Sequence, residues 1–136
     1  MLRSSSASIL YLFFIYFSLL LIAVTVSFQE SSSSIEEGSS EQLCCQLSSG
    51  AEIPVVVTLL VNDGTAQLNM DFILSTQVLI FQPGEILICV AVSATNDSTL
   101  EEDEVFTLDL QSSNSDVLTS PIASTTTVTI PNQDSK

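Results

Sequence analysis

Hydrophobic and polar positions along this chain alternate in short bursts. Phe106, Leu108 and Leu110 alternate with Thr107, Asp109 and Gln111, the two-residue period of a strand with one buried face. In residues 86–92, Ile86, Ile88, Val90 and Val92 share one face, and Leu87, Cys89 and Ala91 the other. Leu43, Cys45 and Leu47 oppose Gln42, Cys44 and Gln46 in the same way. Residues 53–61 are almost continuously apolar, rich in β-branched side chains and too short for most helices, which predicts a central strand with Pro54 at its entrance. Runs at 78–81 and 125–130 predict two more strands, the last ended by Pro131. Ser48-Ser49-Gly50, Asn62-Asp63-Gly64-Thr65 and Pro83-Gly84 punctuate the runs, the second as a turn whose residues tolerate positive φ. Residues 29–42, rich in Ser and Glu, form a linker or a weak edge strand, and 112–124 are polar and irregular. Short strands separated by turn signals predict an all-β fold, an antiparallel β-sandwich of about seven strands.

The N-terminus breaks this pattern. Arg3 precedes an uncharged stretch, residues 4–29, whose core at 9–26 is almost wholly apolar. A short basic region followed by such a core is the pattern of a secretory signal. Ala23, Thr25 and Ser27 offer small residues for cleavage, none as a clean Ala-x-Ala. The run is also long enough to span a bilayer, so an uncleaved signal-anchor is the alternative. We assign residues 1–27 to the signal peptide or signal-anchor and 28–136 to the β-sandwich domain. Either reading puts the domain outside the cytosol, secreted or anchored at the non-cytosolic face of a membrane, with membrane contact only through the N-terminal segment.

Charge narrows the function classes. Sixteen acidic and two basic residues give a formal net charge of −14. Nucleic acid, whose phosphates need Lys and Arg, is excluded as a partner, and an anionic membrane surface repels the chain. The chain has no histidine, so neither His-dependent catalysis nor a His-containing zinc site is available, and without His or a paired Lys no Ser or Thr is read as activated. The chain is not read as an enzyme. Its densest charge is at residues 96–106, where Glu101, Glu102, Asp103 and Glu104 are consecutive and Asp97 lies just upstream. Such crowding is either a solvated acidic loop or one side of a site for a hard cation, for which carboxylate oxygens are the preferred ligands.

Taken together, Asp63-Gly64-Thr65-Ala66, Asp71-Phe72, Phe81-x-Pro83-Gly84-Glu85, Glu101-Glu102-Asp103-Glu104-Val105-Phe106 and Thr127-Val128-Thr129-Ile130 resemble the Calx-beta domain family, from about Phe28 to Asp134. That family includes calcium-sensing domains of sodium–calcium exchangers and repeats of extracellular adhesion and matrix proteins. The resemblance implies a seven-stranded immunoglobulin-like sandwich with calcium held by loops at one end. Carried over by motif, Glu37, Asp63, Asp97, Glu101, Glu104 and Asp134 are the expected Ca²⁺ ligands. Glu102 and Asp103 are expected to point outward, and Asp71 to cap the turn before Phe72. Asn96, Asn132 and Gln133 stand where calcium-binding members carry acids, and each loses a ligand charge.

The same fold makes the strands carrying Cys44 and Cys89 neighbours, so these two are a candidate disulfide, with Cys45 a buried thiol. Three unpaired cysteines are the alternative. Asn96-Asp97-Ser98 is an N-glycosylation sequon, which in a secreted protein makes Asn96 a candidate acceptor. The function expected is an extracellular calcium-binding β-sandwich module in cell adhesion or matrix organisation, with calcium ions and other extracellular proteins as partners. The alternative is a calcium-independent structural or interaction module of the same fold with an eroded site.

Overall fold

The computed structural model describes residues 23–96 and 102–132. They form ten strands: β1 (Val24–Phe28), β2 (Ser32–Ser34), β3 (Ser40–Leu47), β4 (Val55–Asp63), β5 (Phe72–Leu74), β6 (Val78–Phe81), β7 (Leu87–Ala94), β8 (Glu104–Ser112), β9 (Val117–Thr119) and β10 (Thr125–Ile130). Two five-stranded sheets, in the orders β5-β7-β3-β1-β9 and β2-β10-β8-β4-β6, make an immunoglobulin-like sandwich.

Ten strands correct the expected seven. β5 and β9 are three residues each, too short to show a period of two. β1 lies inside the apolar N-terminal run, where strand and signal segment share one signature, continuous hydrophobicity. The sandwich is also not wholly antiparallel, because β1 pairs with β9 and β2 with β10 in parallel. Residues 24–34 and 117–130 run side by side, and both cross from one sheet to the other at the same level. Phe28 N–H donates to the Ala123 carbonyl (2.8 Å) and Thr127 N–H to that of Ser31 (3.0 Å), stitching the crossing. The hydroxyl of Thr126, a residue buried in the core, donates to the Glu30 carbonyl at 2.8 Å.

The alternating positions predict the core well. Leu43, Cys45 and Leu47 of β3, Val90 and Val92 of β7, and Phe106, Leu108 and Leu110 of β8 face inward and are buried. Val55, Val57 and Leu59 add the inner face of β4. Phe72 and Phe106, one from each sheet, stack with centroids 3.6 Å apart and planes 5° from parallel. No helix among the described residues is long and apolar enough to cross a membrane. Residues 1–22 of the expected signal segment lie outside the described residues, and its last four, Val24 to Ser27, belong to β1.

Candidate functional site

Strand direction gathers three of the expected ligands, Glu37, Asp63 and Glu104, at one end of the sandwich. β4 and β10 end there and β8 begins there, because both pair with β8 antiparallel. Glu104 opens β8 opposite Ile130, and Asp63 closes β4 opposite Phe106. Residues opposite each other on neighbouring strands point to the same side, and so do residues two apart. Phe106 points into the core, so Asp63 and Glu104 lie on the inner side of the same sheet, just beyond the last core layer. β2 runs parallel to β10, and Ile35 N–H donates to the Thr129 carbonyl at 2.9 Å, which carries Glu37 past the end of β10. The Oε2 atom of Glu37 is shielded from solvent. Glu37, Asp63 and Glu104 thus share one end of the fold. Asp97, Glu101 and Asp134, the other three expected ligands, lie outside the described residues.

The loops at this end are held by the protein's own groups. Asp63 Oδ1 accepts the Leu68 N–H at 3.0 Å, folding the carboxylate back onto its loop. Asp71 Oδ2 accepts the Gln67 N–H at 2.8 Å, tightening the turn before Phe72. That loop docks on β8: Ala66 N–H donates to the Val105 carbonyl at 3.1 Å, and Val105 N–H to Thr65 Oγ1 at 2.9 Å. Gly64 does not have positive φ, contrary to the turn reading. A Cβ there would strike the Val105 carbonyl oxygen, so glycine is needed for close approach. Gly38, at φ +78°, does need the left-handed conformation, and its N–H donates to the Ala94 carbonyl at 2.9 Å.

Asp103 has a role its place in the acidic run did not announce. Its Oδ1 accepts the Asn132 N–H at 2.8 Å, tying the approach to β8 to the residues after β10. This corrects the expectation that Asp103 only points outward: β8 begins where β10 ends, which brings Asp103 beside Asn132. Glu102 is exposed. Among the described residues no group of three or more Asp, Glu, Cys or His side chains could hold a metal ion. The Asp63 and Asp103 carboxylates each accept a backbone N–H through one oxygen, and amides stand at 96 and 132.

Cys44 and Cys89 pair directly across β3 and β7, Cα atoms 3.9 Å apart, and form a disulfide on the outer face of their sheet. Cys45 points inward, unpaired, and burial pushes its thiol pKa up to about 12. Asn96 is exposed after β7, close to Gly38, while Asp97 and Ser98 of its sequon lie outside the described residues.

A family model described as the Calx-beta domain matches residues 22–134. The crystal structure of the apo-form Calx CBD1 domain superposes with a TM-score of 0.71 at 23% identity, covering 82% of this chain and 98% of that one. The Calx CBD2 domain gives a TM-score of 0.67 at 18% identity, with 82% and 89% covered. A putative carbohydrate binding protein from Bacteroides ovatus gives 0.63 at 15% identity, over 79% of this chain and 37% of that one. At these identities the solved structures speak to fold. No curated protein matches the chain.

Proposed function

The chain belongs to the Calx-beta domain family, and from that premise we propose that it is a calcium-independent structural or interaction module, acting outside the cytosol with other extracellular proteins as partners. Domains of this family are structural and adhesion modules, and the chain is one of these, not an enzyme. One observation carries the proposal. Among the described residues of the acidic end, carboxylates brace the backbone directly, Asp103 on Asn132 and Asp63 on Leu68, so these segments are held by the chain's own groups. The amides at 96, 132 and 133 point the same way, since affinity for Ca²⁺ falls as ligand charge is removed. The Cys44–Cys89 disulfide supports an oxidising compartment, consistent with secretion or display at the non-cytosolic face of a membrane. There Asn96 is an acceptor for an N-linked glycan.

A second reading keeps calcium. Glu37, Asp63 and Glu104 share one end of the sandwich, and with Asp97, Glu101 and Asp134 they would make a site of the weak extracellular kind. An ion bound only to the native state, with Kd of about 10⁻⁴ to 10⁻³ M and about 1 mM Ca²⁺, would stabilise it by roughly 0.4–1.4 kcal/mol. Thermal melts in 1 mM Ca²⁺ and in EDTA separate the two. The proposal expects coincident curves; a melting temperature several degrees higher in Ca²⁺ supports the second reading.

A further inference from the structure

β1 is woven into the fold on both sides. It pairs with β3 through Val26, Ser27 and Phe28, and with β9 through Val24, Thr25 and Val26. Thr25 N–H donates to Ser48 Oγ at 2.9 Å, and its carbonyl accepts the Ser48 N–H at 2.8 Å. Val26 is fully buried. A cut after Ser27 would remove all of β1 but Phe28, and a cut after Thr25 would remove two of its three pairings with β9. The small residues that make Thr25 and Ser27 attractive to a peptidase therefore lie inside the sandwich.

Taking residues 24–28 for the sandwich also shortens the apolar run. What remains, residues 9–23, is about 15 residues, within the range of a signal-peptide core and short for a bilayer span. Ala23 is exposed, stands immediately before β1, and is small at the position preceding the cut, though Leu21 occupies the third. At the same place the molecule is concave. Val24, Glu52, Ile53, Asp116 and Val117 line a depression of about 380 Å³ at the end opposite the acidic loops.

We propose that the leader is removed by hydrolysis of the Ala23–Val24 bond and that the α-ammonium group this frees at Val24 is received by Glu52 and Asp116. Water adds across the amide: Ala23 leaves as a carboxylate, and the Val24 nitrogen takes up protons to become the cation. Removal of Arg3 with the leader leaves Lys136 as the one basic side chain, so the new ammonium supplies a charge these acids otherwise lack. The proposal rests on the placement outside the cytosol given above. A chain that stays cytosolic with its thiols reduced defeats that placement, whereas a secreted chain with another N-terminus defeats only this processing site.

The full 136-residue chain, expressed in a secreting host, is tested by N-terminal sequencing and intact mass. The expected first cycles are Val-Thr-Val-Ser-Phe. A start at Val26 or Phe28, or a chain held in the membrane fraction with its leader attached, overturns the cut. Acylation of the α-amine at pH 7 tests the acids. A carboxylate beside an ammonium keeps it protonated and unreactive, so E52Q/D116N, at two exposed positions, is expected to react about threefold faster, the change half a pKa unit produces. Equal rates overturn the role of Glu52 and Asp116.

Discussion

Asp103 and Asn132 are joined by a 2.8 Å hydrogen bond that closes the approach to β8 onto the end of β10. The bond is exposed, so its net contribution is modest, about 1 kcal/mol at most. Asp103→Ala should lower the melting temperature by a few degrees. Differential scanning calorimetry should give the same loss in Ca²⁺ and in EDTA. A loss seen only in Ca²⁺ would mean that Asp103 acts through an ion.

Gly64 is fixed by the Val105 carbonyl against which it packs. Gly64→Ala forces backbone against backbone, with an expected cost of about 1–3 kcal/mol. Gly38→Ala meets a gentler obstacle. Its Cβ would lie 3.4 Å from Asn96 Cβ, and the remaining cost is that of φ +78°, about 1 kcal/mol. Urea melts of the two variants should rank Gly64→Ala as the more destabilised.

Phe72 and Phe106 carry the contact between the sheets just beneath the acidic end. Each truncation to alanine is expected to cost about 3–5 kcal/mol. A double-mutant cycle should show a coupling of about 0.5–1.5 kcal/mol from the stacked pair. Since a double alanine variant risks not folding, the cycle is better run with leucine at each position. Additive losses would mean that the rings contribute only burial.

These particulars show what was legible in the sequence. The inward faces of β3, β7 and β8 follow from strict alternation, and the acidic end from the run at 101–104 and the turn at 63. β5 and β9 were not legible because three residues carry no periodicity, and β1 because a buried strand and a signal core are written in the same residues. The turn at Gly64 was found but its reason was not: the demand comes from Val105, a residue 41 positions away in the chain. Asp103 looked like one more repelling charge because its partner is a backbone N–H, which no side-chain pattern reveals.

The cysteines give a prediction in pH. Cys45 is buried and its folded pKa is raised from 9.0 to about 12. The thiol therefore ionises first in the unfolded chain. Its contribution to stability is fully present below pH 9 and is lost as pH rises toward 12. Denaturant midpoints should fall across that window and fall less in Cys45→Ala, once each protein is compared with its own value at pH 8. At neutral pH native Cys45 should resist iodoacetamide and react once unfolded. Reduction of Cys44–Cys89 should separately cost about 2–4 kcal/mol.

The central claim, that the acidic end stands without calcium, is tested most directly by isothermal titration calorimetry of Ca²⁺ into the purified, chelator-treated domain. The account predicts no saturable heat up to millimolar Ca²⁺, with Asp63→Asn and Glu104→Gln giving the same flat trace. A saturable isotherm with Kd of about 10⁻³ M or tighter, abolished by Glu104→Gln, would contradict it and restore Glu37, Asp63 and Glu104 as ligands.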